Sequence, residues 1–374
     1  MSRSHFRLAG AALLASSLAL AACEKTPPPA ARQTASAAPS VALPSSSART
    51  EAAPSASAAA EPEPSSDALC ERFGSAPIPS SDRPSPGDEA ALRDCDAEAL
   101  YYGIDTAVDY ERARRCAYTR LGHDGDTTIG GPEILMMIYA NGRGVPVNWD
   151  LALRFACQIG GAPLELGGRV SRLWQARAGT QPLAKPLEVC DDVTSGFMQG
   201  YCAAHEERIA AVPRNARKRA AALDMPVELH AFEAAARRFF DARERNEVDL
   251  SGSARAVFSI EERAKLEDDY VKMLEQLRDR SFVPDKVDAS GTDKKLTAQL
   301  ARIASCKYLA DTEALVPGAV TRAGIKKTQA LWLAYRAAFV ALAQKLRPDV
   351  ERAAWQAFIG QKRILQLAEQ ADGC

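Results

Sequence analysis

The sequence predicts an all-α protein: a short helical-hairpin repeat region packed with a disulfide-bonded helical bundle, the whole preceded by a disordered stalk. Three observations carry this expectation. From residue 189 onward the chain is rich in Ala, Arg, Glu and Leu, with apolar side chains at helical spacing and no strand-like alternation. Between residues 67 and 188 the sequence matches itself at an offset of 39 residues, the size of a helical hairpin repeat. Eight cysteines follow residue 66, an even number that suits a cross-linked fold.

At the amino terminus a cationic stretch, Arg3 to Arg7, precedes an uncharged apolar run from Leu8 to Ala22 that is too short to span a bilayer comfortably. Residues 1–22 therefore read as a signal peptide. The run ends Leu20-Ala21-Ala22-Cys23, which resembles a bacterial lipobox. That resemblance implies diacylglycerol on the Cys23 sulfur and cleavage just before it. Glu24 stands there rather than Asp, and by resemblance to sorted lipoproteins this favours the outer membrane of a bacterial cell envelope. Acyl chains contribute roughly 0.8 kcal/mol per buried methylene, so the lipid can hold the protein on its membrane.

Residues 23–66 form the linker, nearly all Ala, Pro and Ser beyond the first few, with the runs Pro27-Pro28-Pro29 and Ser45-Ser46-Ser47. Such a composition buries too little apolar surface to fold. Its reach lies between about 35 Å as a coil and about 130 Å as extended polyproline helix. The net charge of −1 becomes −3 once Arg3 and Arg7 leave. No basic excess points to nucleic acid, and no later apolar segment is long enough to cross a membrane.

Besides Cys23, the cysteines are Cys70, Cys95, Cys116, Cys157, Cys190, Cys202, Cys306 and Cys374. An exported protein meets an oxidising compartment, so four disulfides are expected. Local closure is topologically simplest and pairs nearest neighbours: Cys70 with Cys95, Cys116 with Cys157, Cys190 with Cys202, and Cys306 with Cys374. No Cys-x-x-Cys occurs, and the histidines beyond the leader, His123, His205 and His230, form no ligand or catalytic pattern. Gly-x-Ser-x-Gly and phosphate-cradling glycine loops are absent as well. Neither a metal nor another cofactor is implied.

In the region 67–188, Tyr102-Gly103, Val108, Tyr110, Ala113, Arg115 and Ala117 align with Asn141-Gly142, Val147, Trp149, Ala152, Arg154 and Ala156. Gly142 and Gly144 can stop a helix and allow positive φ, and Ala152 and Ala156 let neighbouring helices approach closely. The stretch Tyr139-Ala140-Asn141-Gly142-Arg143-Gly144-Val145, followed by Asp150-Leu151-Ala152, resembles the Sel-one-type repeat, a cousin of the tetratricopeptide repeat. The resemblance covers residues 98–168, about two repeats. The first is expected to be degraded, because Ile104-Asp105-Thr106 replaces the Gly-x-Gly turn. Cys116 and Cys157, one residue out of register, could bridge consecutive second helices. Such arrays commonly present a concave face to a partner protein.

In the region 189–374, Ser259-Ile260-Glu261-Glu262 has capping-box spacing and predicts a helix through Leu266, Tyr270, Met273, Leu274 and Leu277. A second long helix carries Leu331, Trp332, Tyr335, Phe339, Leu342 and Leu346 on one stripe, read as core, and Pro348 marks its end. A last helix runs from about Asp349 through Trp355, Phe358 and Leu365 to near Cys374. Charged runs such as Arg214 to Arg219 read as solvated helix faces. The opening Cys190-Asp191-Asp192-Val193-Thr194 through Met198 to Cys202-Ala203, together with Gln329-Ala330-Leu331-Trp332 to Tyr335-Arg336, resembles the LprI-like lysozyme-inhibitor domain. Phe239 to Arg243 and the turn Ser251-Gly252-Ser253 look like a weakened second version of its helix and turn. A divergent tandem duplication, residues 189–283 and 293–374, would account for this. Met198 and Gln199 depart from the family's Met-Asn-x-Cys spacing.

Together these features predict a non-catalytic, membrane-anchored envelope lipoprotein that binds or scaffolds another envelope protein. The LprI-like resemblance implies a more specific partner, a lysozyme or related muramidase. The polar turn at Ser251-Gly252-Ser253 and the segment 285–293 are the loops that could enter its cleft. A peptidoglycan-acting enzyme would need paired carboxylates or a metal, and Glu267-Asp268-Asp269 reads as helix surface.

Overall fold

Side chains that can accept a hydrogen bond from the first turn set most helix starts. The computed structural model describes residues 63–122, 129–221, 226–285, 288–312, 316–372 and 374. The signal peptide, Cys23, most of the predicted linker and His123 lie outside them. The first helix, α1 (Ser66–Phe73), begins at the predicted end of that linker, where Ser65 caps Ala68 N–H. Then come α2 (Pro86–Ala91), α3 (Ala97–Tyr102), α4 (Tyr110–Thr119), α5 (Gly131–Asn141), α6 (Trp149–Ala156) and α7 (Pro163–Ala178). The rest is α8 (Gly196–Ala220), α9 (Pro226–Asn246), α10 (Arg255–Arg278), α11 (Ala289–Ala304), α12 (Arg322–Leu346) and α13 (Arg352–Ala371). The fold is all-α, with no strand among the described residues.

The pairs α3–α4 and α5–α6 are two copies of one hairpin. Gly103 and Gly142 end their first helices at φ 76° and 65°, left-handed values that glycine adopts without a Cβ penalty. The chain then returns identically: Asp109 N–H donates to Leu100 O and Asn148 N–H to Tyr139 O, each at 2.9 Å. Asp109 and Asn148 then cap α4 and α6. The first turn is not degraded as its sequence suggested. Asp105 takes φ 53° at the place where Gly144 takes 72°, because a short polar side chain tolerates the left-handed region better than most. The repeats stack closely: a Cβ on Gly144 would lie 3.1 Å from Tyr110 Cβ. Ala113, Ala117, Ala152 and Ala156 are all buried.

Two hydrophobic clusters result, one running from Leu69 to Val189 and one from Ala221 to Ala371. In the second, α9 and α12 pack together at the centre, α8 lies on α10, and α11 lies on α13. This arrangement repeats itself at 93 residues: α8 begins at Gly196 and α11 at Ala289, α10 ends at Arg278 and α13 at Ala371. Buried side chains follow the same offset, Phe232 with Ile325, Phe239 with Trp332, Leu266 with Ile359, and Leu274 with Leu367. The second unit thus starts at Ala289, four residues before the predicted 293, because Asp288 caps it through Ser290 and Gly291 N–H. At the centre, Phe232 stacks on Tyr270 and Tyr335 with centroids 5.0 and 5.2 Å apart.

Several local expectations are corrected. Ser259 does not start a helix: α10 begins four residues earlier, and Ser259 Oγ donates to Glu244 Oε1 at 2.7 Å instead of capping. The last helix begins at Arg352, because Asp349 is held by the Arg347 guanidinium. Leu365 faces outward at 67% exposure, and Leu367 fills the core in its place. Arg214 is buried rather than solvated, paired with Glu207 and Glu267. Trp332, Tyr335 and Phe339 are buried.

Charge also lies inside this bundle. Arg363 on α13 and Glu247, just after α9, are both inaccessible, bonded at 2.6 and 2.8 Å. Gln329 Oε1 accepts from Arg363 Nε at 3.0 Å, and Arg243 bonds Glu247, Glu262 and Glu369. Breaking a buried pair by removing one member costs about 3–5 kcal/mol, because the other charge stays buried. Arg363→Met is therefore expected to lose about that much in urea unfolding, whereas Lys345→Met, which breaks a pair with Glu228 at the surface, should lose no more than about 1 kcal/mol. Equal losses would contradict this account.

Candidate binding surface

Every cysteine of the folded region sits in a disulfide, but two of the four bridges differ from nearest-neighbour pairing. Cys190–Cys202 and Cys306–Cys374 are as expected. Cys70 joins Cys157, not Cys95, and Cys95 joins Cys116, with Cα atoms 5.5 and 6.0 Å apart. The reason is the order of packing. Helix α1 folds back on α6 and α7, which brings Cys70 to Cys157. Helix α5 stands between α4 and α6, so Cys116 and Cys157 do not meet and Cys116 turns to Cys95 at the start of α3. Cys23 lies outside the described residues.

The repeat turns form the most regular exposed feature. Val108 and Val147 occupy matching positions, packed on Gly103 and Gly142 and 50% and 48% exposed. Between the two turns the Arg143 guanidinium sits over the rings of Tyr101 and Tyr110, 5.0 and 5.2 Å from their centroids, and donates to Tyr110 Oη at 3.0 Å. Burial pushes the Tyr101 hydroxyl up to about 12. Asn141 closes the edge: its amide donates to Leu187 O at 2.9 Å, and its Oδ1 accepts from Leu187 N–H at 2.7 Å. This edge combines exposed valines with a guanidinium stacked on two tyrosine rings.

A buried polar joint fixes the repeats to α8. Glu98 on α3 is inaccessible and bonds His205 Nδ1 at 2.6 Å, while Arg208 spans Glu98 and Asp96. Tyr102 packs on His205 and donates to Glu188 at 2.5 Å, and burial together with that carboxylate pushes its phenol far above the usual range. His230 is exposed. Glu165 at the start of α7 accepts from the N–H groups of Ala162, Thr194 and Ser195 at 2.8, 2.8 and 2.6 Å, which clips α7 to the entry of α8.

The residues suggested for other roles are tied up or elsewhere. Glu267, Asp268 and Asp269 pair with Arg214, Arg217 and Lys362. Among the described residues no three His, Cys, Asp or Glu side chains gather as a metal site, and no helix is long and apolar enough to cross a membrane. Ser251, Gly252 and Ser253 are exposed, whereas Asp293 lies in the first turns of α11 and pairs with Arg336. Comparison with protein-family models, with curated proteins and with solved structures finds no match. Sequence reasoning missed Glu98, His205 and Glu165. Met198, Cys202 and His205 share one face of α8 at helical spacing, which was the available signal for the histidine.

The Glu165 clip generates a pH dependence. Burial alone would raise its carboxyl, but the backbone N–H groups of Ser195, Thr194 and Ala162 outweigh that and hold it down from 4.5 to about 2. A depressed folded-state value means stability that is fully present above the unfolded value and lost as pH falls toward the folded one. The Glu165→Gln variant should melt below the parent at pH 6, and the difference should shrink as pH falls from about 4.5 to about 2. A difference that stays constant over that range, measured by thermal unfolding, would refute the clip.

Proposed function

We propose that the chain is an exported, non-catalytic lipoprotein, held on a membrane through acylated Cys23, that binds or scaffolds another protein of the bacterial cell envelope. The observation that carries this reading is the recurrence of one exposed turn, with Val108 and Val147 at matched positions around Arg143 and Tyr110. A surface that repeats in register suits an elongated protein segment better than a small substrate. The leader and its lipobox-like end, the Sel-one-type resemblance of residues 98–168 and the four disulfides support it. The test is photo-crosslinking in the protein's own cells, with the reactive group placed at Val108 or Val147, and at exposed Leu365 on the bundle as control. One envelope protein captured from the repeat positions and not from 365 is the expected outcome. The same products from all three positions, or none from the repeat positions, would overturn it.

A second reading takes the partner to be a lysozyme, after the LprI-like resemblance of residues 189–374. Its supporting observation is the exposed Ser251-Gly252-Ser253 turn between α9 and α10. The net charge of −3 after cleavage supplies little attraction to a cationic enzyme, so the turn itself must supply the contact. The full chain should then slow cell-wall lysis by at least one lysozyme of a panel, at low and at physiological salt, and a change of Ser251 and Ser253 to Lys should abolish the effect. Undiminished lysis across the panel at micromolar protein would reject this partner.

A further inference from the structure

Between α8, α9 and α10 lies a cleft of about 380 Å³, within the size range of small-molecule sites. Phe240, Ala236 and Tyr270 make its apolar side, and the Phe240 and Tyr270 rings meet edge to face, 6.3 Å apart. Arg214 and Lys218 line it from α8, Glu233 and Arg237 from α9, and Glu267 from α10. Two of the three cations are matched: Arg214 pairs with Glu207 and Glu267, and Lys218 lies 3.4 Å from Glu233 and over the Tyr270 ring. Arg237 is exposed and has no ion pair among the described residues.

Two buried polar atoms in the same cleft lack hydrogen bonds, Tyr270 Oη and Arg214 Nε, both on side chains more than nine-tenths buried. Tyr270 Oη lies near the Glu233 carboxylate, but not in hydrogen-bonding geometry with it. A buried donor left unmade keeps its full desolvation penalty, and a partner that supplies the missing acceptor removes it. Here each of the groups can donate: the Tyr270 hydroxyl, the Arg214 Nε–H and the exposed guanidinium of Arg237. An anion's oxygens satisfy all three.

The internal duplication shows that this cleft is a property of the first unit. Helices α8 and α11 start 93 residues apart, but α8 is 25 residues long and α11 is 16. Arg214 and Lys218 stand on the extra turns, beyond the point that corresponds to the end of α11. At the position equivalent to Tyr270 the second unit carries Arg363, which is committed to Glu247. The same three-helix plan therefore commits this position to a buried ion pair in one copy and carries a tyrosine hydroxyl without a hydrogen bond in the other.

We propose that the α8–α9–α10 cleft binds a small monoanion with an apolar body, an aryl or acyl carboxylate whose oxygens accept from Tyr270, Arg214 and Arg237 and whose body packs on Phe240. The full chain, oxidised, is titrated calorimetrically with 4-phenylbutyrate, and with the neutral 4-phenylbutanol and the cationic 4-phenylbutylamine as matched probes. The carboxylate should bind at least about tenfold more tightly than either. Tyr270→Phe, which keeps the ring, and Arg237→Ala, at an exposed position, should each weaken it by about tenfold, with melting temperature and disulfides unchanged. Equal binding of the three probes, carboxylate affinity undiminished in both folded variants, or no carboxylate binding by the folded parent would each overturn the proposal.

Discussion

The bundle half of this protein is organised around charges that have no access to water. Arg363, Glu247 and Arg243 sit at the meeting point of the two three-helix units, and each satisfies donors or acceptors that another leaves open. An apolar core tolerates many registers of helix against helix, since one leucine face can slide on another. A bidentate guanidinium–carboxylate contact does not, because its geometry is fixed to a fraction of an ångström. The network therefore does for specificity what the aromatic stack of Phe232, Tyr270 and Tyr335 does for burial: it fixes which turn of α13 faces the end of α9.

A similar division of labour holds the two halves of the chain together. The repeat hairpins bury mostly apolar side chains, and to the packing of Tyr102 and Tyr201 their attachment to α8 adds a polar set, Glu98, His205, Arg208 and the Glu165 clip. So short an array would be marginal alone, since each hairpin contacts little beyond its neighbour. Docking it through buried hydrogen bonds, with Cys70–Cys157 closing one end and Cys190–Cys202 beside the joint, supplies the constraint that further repeats supply in longer arrays.

What was legible in the sequence follows from what is local. The helical class, the stripe of Trp332, Tyr335 and Phe339 and the 39-residue repeat are written in periodicity, which needs no tertiary information. Glycine marked the second repeat turn, but Asp105 performs the same role in the first, so a rule based on glycine alone read as degraded a turn whose geometry is intact. Ser259 has the spacing of a cap, yet its hydroxyl found Glu244 on a neighbouring helix, a partner no local window contains. Buried charge was illegible for the same reason: Arg214 and Arg217 belong to one basic run, and only the packing of α10 makes the first buried and leaves the second half exposed.

The bridges of the repeat region carry a consequence for biogenesis. Cys95–Cys116 lies wholly inside the loop closed by Cys70–Cys157. In a chain synthesised from its amino terminus, Cys70, Cys95 and Cys116 all precede Cys157. Pairing in order of arrival joins Cys70 to Cys95 and leaves Cys116 to take Cys157, the mismatched set that helix packing forbids. The nested native set is therefore reached only if Cys70 stays unpaired until Cys157 is present, or if an early bridge is exchanged through a mixed disulfide, a constraint that a serially bridged chain does not carry.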